Sequence, residues 1–309
     1  MSIEIIKPGL QTSIQDIGRF GLMHLGIAHS GSMDPLSMRM ANLLVSQPSN
    51  NPVIEFTQTG PDILFNTDVQ IAITGAKCSY RLNDKEIAQY RTISVRAGER
   101  LKFNKMQQGF RGYIAFAGQL DIEKQMGSSS THLMAQLGGF KGRALLAGDT
   151  IKLNNIVRAE EKSVRNNFIP NFTGNYRVRV TAAPETAEFS QQQIKQFLNN
   201  RYNVSSELNR MGIRLTGDVL KITPYPEMLS RGLLPGAIQI PANGLPIICG
   251  MDAQTVGGYL RIGQIIKADM PIIAQCKPND KIQFSLIDTA EAKNILKHQS
   301  KYTPFSIGL

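Results

Sequence analysis

Tryptophan is absent from this 309-residue chain, and aromatic residues together make up only 7% of it. Platforms that bind single-stranded nucleic acid are built from such rings, so that class of function has little material here. Cysteine is scarce too: Cys78, Cys249 and Cys276 are odd in number, far apart, and form no C-x-x-C pair. This pattern argues against a disulfide framework and against a zinc site, no metal site is expected, and a reducing, cytoplasmic setting fits best. No apolar run approaches the roughly 20 residues of a membrane-spanning helix. The opening MSIEIIKPG has neither a basic nor an apolar leader region, so neither secretion nor membrane insertion is expected.

Blocks of like charge are missing as well. The formal net charge is +10 and the pI is about 9.6, yet lysine and arginine are spread along the chain. No nucleic-acid module emerges, and the basic balance suits anionic substrates or an acidic protein partner. There is no G-x-x-x-x-G-K-[ST] loop, so ATP chemistry needs another fold or another chain. Neither an M-K-M biotin-attachment segment nor a G-x-S-x-G elbow occurs, so biotin would come from a separate protein and a serine-hydrolase triad is not expected.

What remains is an ordinary globular composition, 42% hydrophobic and 19% charged, on a chain long enough for two domains. Short β-rich runs recur, among them 53–57, 69–74, 92–95, 113–117, 177–181, 237–240 and 282–286, punctuated by glycine, proline and asparagine. That is the pattern of barrels or sandwiches, mainly β with a few helices. Helices are predicted from Asp34 as N-cap with Pro35 at the first position, over 187–198, and over 289–298 with Asp288 and Glu291 as a capping box and Ala292, Ile295 and Leu296 as the buried stripe. A turn followed by an alternating strand repeats in RAGERLKF (96–103), LAGDTIKL (146–153) and KPNDKIQF (277–284). A second echo links TGPDILF (59–65) with TGDVLKI (216–222); convergence explains such short repeats as well as duplication does. The polar stretch 154–175 reads as a linker, which gives domains at 1–165 and 166–309.

Residues 8–42, PGLQTSIQDIGRFGLMHLGIAHSGSMDPLSMRMAN, look built for a site. Gly9, Gly18, Gly21, Gly26 and Gly31 permit positive φ, while Gln15, Asp16, Arg19, His24, His29, Ser30 and Ser32 supply polar groups. Arg19 suits a carboxylate or phosphate with Asp16 fixing its orientation, although the same pair also reads as one that merely holds the loop. His24 and His29 lie in no metal-ligand cluster. Ser30-Gly31-Ser32 is arranged like an anion nest ahead of the helix, with a plain capping turn as the competing account. In the second half, Arg210 beside Gly212, together with Gln239, Pro241, Gln254, Thr255, Gly257, Gly258 and Tyr259, offers the alternating donors and acceptors that grip an amide or ureido group. Structural turns account for Gly257-Gly258 equally well.

Five ordered motifs carry a resemblance: GLQTSIQDIGRFG (9–21), HSGSMDPLSMRMAN (29–42), GGFKGRALLAGD (138–149), NRMGIRL (209–215), and LLPGAIQIPANGLPII (233–248) with DAQTVGGYLRIGQIIKADM (252–270). Over nearly its whole length the chain resembles the allophanate hydrolase subunit 2, or carboxyltransferase-domain, family. The resemblance implies two cyclophilin-like β-barrel domains sharing a cleft. It also implies work as the C component of an ATP-dependent 5-oxoprolinase, with a B-type and an A-type subunit and with ATP and magnesium bound by the complex. Asp16, Arg19, Arg210 and Gln254 would then be catalytic. Gln15, His24, Ser30, Gly31, Ser32, Gln239, Pro241, Thr255, Gly257, Gly258 and Tyr259 would bind substrate. Two other activities occur in the family: biotin-dependent carboxyl transfer to urea or a related amide, and non-catalytic antagonism of a kinase-inhibitor protein. Ser129, Asn209, Arg231 and Ala253 depart from the family pattern, where arginine, aspartate, glutamate and arginine are usual, and each alters charge at a motif.

Overall fold

The computed structural model describes residues 1–302 and 307–308 and divides the chain into two compact units, both mainly β. The first comprises Met1–Arg19, Ser30–Phe172 and the strand Ile307–Gly308; the second comprises Phe20–His29 and Thr173–Ser300. The sequence suggested one boundary near 165, whereas both units are discontinuous in the chain.

The first unit is an antiparallel sheet of ten strands that does not close on itself, a half-barrel where a second barrel was expected. Its spine is the pairing of Val69–Leu82 with Arg100–Phe116, kinked by register shifts near Gly75 and Lys77. Period-2 alternation sorts the side chains: Ile71, Ile73, Ile114 and Phe116 join one core, while Ala72, Tyr113 and Ala115 face the opposite way. On that second face lies helix α1, Pro35–Leu44, which buries Met38, Met40, Ala41 and Leu44 over the small alanines. Its N-cap is Asp34, whose side chain accepts from the Ser37 N–H at 2.9 Å, as the sequence predicts. Gly112 has to be glycine, because a Cβ there would come within 2.0 Å of the Phe56 ring.

The stretch 154–175 is packed rather than free. Ala159 and Val164 are buried in the core under α1, the Ala159 N–H bonds Gln70 at 2.6 Å, and Ser163–Val164 pairs with Ile307–Gly308. Backbone pairing holds it, which explains why no side-chain period betrays it.

The second unit is a closed barrel of seven strands, in the order Asn175–Thr181, Leu260–Ile265, Ala237–Ile240, Ile247–Cys249, Gly212–Thr216, Tyr202–Leu208 and Lys281–Leu286. Parallel pairing of the last with the first closes it. Helix α2, Gln191–Asn199, starts later than its apolar spacing suggests, because Ser190 and Gln193 form a capping box there and 186–188 makes a 3-10 turn instead. Its Phe197 stacks on Phe284 with ring centroids 4.7 Å apart. A short helix, α3 (Met270–Gln275), has no counterpart in the sequence reading, and α4 spans Thr289–Tyr302. The Glu291 N–H bonds Asp288 at 2.8 Å as expected, but Ala292, Ile295 and Leu296 are only half-buried.

The repeated turn is real in all three places. Glu99, Asp149 and Asp280 each accept, through the side chain, the N–H of the residue three positions earlier, at 2.7, 2.7 and 3.0 Å. The residue before each acid, Gly98, Gly148 or Asn279, has positive φ. The second echo fails: 59–65 contains a strand, whereas 217–222 contains none.

Candidate functional site

In the first unit the glycine-rich loop is a buried polar cluster. Asp16 is 5% exposed and its carboxylate accepts four hydrogen bonds: from the Gly18 N–H, the Ser129 N–H and the hydroxyls of Ser128 and Ser130, at 2.5–2.8 Å. A carboxylate has about four lone-pair positions, so Asp16 is saturated by its own loops. Arg19, 1% exposed, donates to the Ser130 carbonyl at 2.6 Å. Its guanidinium lies on Gly138, where a Cβ would stand 2.1 Å from Nη2, so the GGFKGR motif is glycine at that point to admit Arg19. Gln15 is also fully buried and donates to the Thr131 carbonyl at 3.1 Å and to Ser13.

The nest-like Ser30-Gly31-Ser32 segment is tight: a Cβ on Gly31 would lie 2.8 Å from Gly18 N. The N–H groups that follow have acceptors inside the protein. Ser32 donates to the Asp16 carbonyl, Met33 to the Glu55 carboxylate at 2.8 Å, and Asp34 to the Tyr113 hydroxyl at 2.8 Å. Tyr113 in turn donates to Glu55, and burial beside that carboxylate pushes its phenol well above the usual range. His24 is exposed in a 3-10 turn of the second unit, and His29 meets the Phe20 ring edge-on at 4.4 Å. Cluster and histidines thus fall in different units.

The second unit contains an open pocket of about 500 Å³. Gln239, Gln254 and Tyr259 line it together, joined by Asn209, Met211, Gly212, Cys249 and Ala253, with Glu207 and Arg214 on its more exposed side. Gln239 is 5% exposed, and its Nε2 has no hydrogen-bond partner among the described residues. Gly257 makes room for that amide, since a Cβ there would stand 2.8 Å from Nε2. Burial pushes the Cys249 thiol up to about 12, which makes it a wall residue and not a nucleophile. Thr255 is buried and is not among the lining residues; Gly258 has ordinary clearance; and Pro241 sits in the turn after strand Ala237–Ile240, where its carbonyl accepts from Gly244.

Arg210 is not among the lining residues. It is 3% exposed and binds Asp252 through Nε and Nη2 at 2.8 and 2.9 Å, tying the 209–212 turn to the 250–254 loop. The arginine of the NRMGIRL motif that reaches the pocket is Arg214, which the sequence reading passed over. The signal was strand alternation: within Gly212–Thr216, Ile213 and Leu215 point inward and Arg214 outward.

The unusual residues have local accounts. Asn209 Oδ1 accepts from the Met211 and Gly212 N–H groups at 2.7 and 3.1 Å, so an amide does the turn-holding that an aspartate would do. Arg231 is bound to buried Glu185 at 3.0 Å, next to the bidentate Arg261 at 2.5 and 2.6 Å. Arg261 first, and Arg231 with it, holds the Glu185 carboxyl below its ordinary range. Ser129 contributes its N–H to Asp16, and Ala253 puts no charge on its own part of the pocket wall. Among the described residues no group of three or more His, Cys, Asp or Glu is placed to hold a metal, and no helix is long and apolar enough to cross a membrane.

Comparison with known proteins agrees with this architecture. Residues 25–286 match the carboxyltransferase domain, subdomains A and B. The chain is 39% identical to the C component of 5-oxoprolinase from Escherichia coli over 97% of its length and 96% of that protein's, and 34% identical to its namesake in Haemophilus influenzae, with the same two coverages. In three dimensions 99% of the chain superposes on 20% of the urea amidolyase of K. lactis, with a TM-score of 0.93 at 30% identity. With a pattern that spans most of the chain and relatives matched nearly end to end, the chain belongs to the carboxyltransferase domain family.

Proposed function

We propose that the chain is the C component of a multi-subunit, ATP-dependent 5-oxoprolinase that opens the lactam of 5-oxoproline to glutamate. The observation that carries this reading is the near-complete mutual coverage with two proteins named as the C component of 5-oxoprolinase. The pocket supports it: Gln239 offers a buried amide N–H without an acceptor, and Gln254 and Tyr259 stand beside it. Those groups match a cyclic amide, whose carbonyl accepts and whose N–H donates.

In this reading Gln239 and Gln254 hold the lactam, and backbone N–H groups stabilise the oxyanion as water adds. Arg210 keeps the loops beside this pocket in place, while Asp16 and Arg19 order the loops of the first unit. ATP with magnesium activates the lactam as a phosphorylated species, and both belong to the assembled complex with its B-type and A-type partners; no residue of this chain is assigned to them. The test is glutamate formation from 5-oxoproline, ATP and magnesium by the reconstituted complex, with each component omitted in turn. Turnover that requires this chain and falls on Gln239→Leu without loss of assembly supports the reading. A stable complex that leaves 5-oxoproline untouched overturns it.

The likeness to a urea amidolyase favours one second reading, transfer of a carboxyl group from carboxybiotin to urea or a related amide. That reading needs a biotinylated partner. Probing the co-purified complex with avidin, and assaying urea-dependent ATP hydrolysis, separates the two.

A further inference from the structure

The pocket of the second unit carries polar groups at two depths. Gln239 is nine-tenths buried, with its Nε2 lacking an acceptor among the described residues. Arg214 is 54% exposed and pairs at 3.0 Å with Glu207, itself 75% exposed. Arg214 is the one cation among the described lining residues and Glu207 the one carboxylate.

We propose that this pocket takes a small amide that also bears a carboxylate, with the amide carbonyl on Gln239 Nε2 and the carboxylate on Arg214. The identity of the ligand, 5-oxoproline, rests on the function proposed above. A buried donor without an acceptor is a standing cost that a docked carbonyl relieves. The guanidinium fork matches a carboxylate in a bidentate manner. An ion pair as exposed as Arg214–Glu207 contributes little, so a ligand carboxylate can displace Glu207 from it. Glu207 has somewhere to go, because it and Arg214 also line a neighbouring depression of about 160 Å³. The pocket's size, about 500 Å³, lies in the range of small-molecule sites. Arg210, four residues earlier, is sealed against Asp252 and leaves this role to Arg214.

The experiment is a titration of the full chain, alone and assembled with its co-purifying partners, with 5-oxoproline and with the neutral lactam 2-pyrrolidinone. Wild type should bind 5-oxoproline at least about tenfold more tightly than 2-pyrrolidinone. Arg214→Gln should remove that advantage and leave the affinity for 2-pyrrolidinone unchanged, and Arg214→Lys should restore part of it. Glu207→Gln, which takes away the competing carboxylate, should tighten 5-oxoproline binding severalfold. Equal binding of both lactams to wild type, no binding of 5-oxoproline, or an Arg214→Gln variant with wild-type affinities would overturn the assignment. Turnover of 5-oxoproline with an unchanged KM in Arg214→Gln sinks this inference and leaves the oxoprolinase reading intact. Binding that depends on Arg214 in a complex that never makes glutamate does the reverse.

Discussion

Arg210 and Asp252 close on each other with two hydrogen bonds in a site where both are 3% exposed. The backbone repeats the connection, since the Asp252 N–H bonds the Arg210 carbonyl at 2.9 Å. Together they clamp the two loops that frame the pocket. Breaking a buried pair by removing one partner typically costs about 3–5 kcal/mol, because the other charge is left unpaired. Arg210→Ala and Asp252→Ala should therefore each lower the urea midpoint strongly. A wild-type midpoint in either variant would show that the pair is no clamp.

Asp16 organises the first unit in a comparable way. Asp16→Ala leaves four donors without their acceptor, and hydrogen bonds to a charged group are worth about 1.5–3 kcal/mol each. The expected loss is at least about 3 kcal/mol in chemical denaturation, a scale set by those bonds. Asp16→Asn should be milder, since one acceptor oxygen remains. If activity vanished in Asp16→Asn while stability stayed at the wild-type level, Asp16 would belong to the chemistry after all.

Glu185 makes stability depend on pH in the acid range. Its folded pKa is lowered, chiefly by the hydrogen bonds from Arg261, so the stabilisation is present above the unfolded carboxyl pKa of about 4.3 and is lost as pH falls through the folded value. Glu185→Gln should be less stable than wild type at pH 7, and the gap should narrow below pH 4. Unfolding free energies at pH 7 and pH 3 check this; a gap that stays constant would refute it.

The thiols should be silent in the native protein. Cys78 and Cys249 are both pushed up to about 12 by burial, and Cys276 is fully buried. At pH 8 a thiol with that pKa is thiolate in only about one molecule in ten thousand, and the thiolate is the reactive form. A disulfide-exchange reagent should therefore titrate almost nothing until denaturant is added, then three groups. A fast native phase would count against the burial.

Much of this was legible in residues that carry a local rule. All five glycines of the 8–42 loop do take positive φ, and Asp34 caps α1 as its spacing predicts. The strands Val53–Thr57, Thr92–Val95 and Ala237–Ile240 begin and end where alternation and turn residues place them. Two of the readings turned on a partner remote in sequence. Arg210 looked like the arginine that meets a ligand because Gly212 stands beside it; nothing local revealed that Asp252 binds it, although the alternation of Gly212–Thr216 does set Arg214 on the outward face. The loop around Asp16 looked built for a site, and its burial did not show locally because Ser128, Ser129 and Ser130, which satisfy Asp16, lie more than a hundred residues away.

The pairing of Ser163–Val164 with Ile307–Gly308 has a consequence for the order of synthesis. The whole of Thr173–Ser300, which builds the closed barrel, leaves the ribosome between those two strands. The first unit therefore waits, with one edge open, until the second has been made. A chain halted after 300 would carry a finished barrel and an unpaired Ser163–Val164 edge, the kind of strand that recruits another chain.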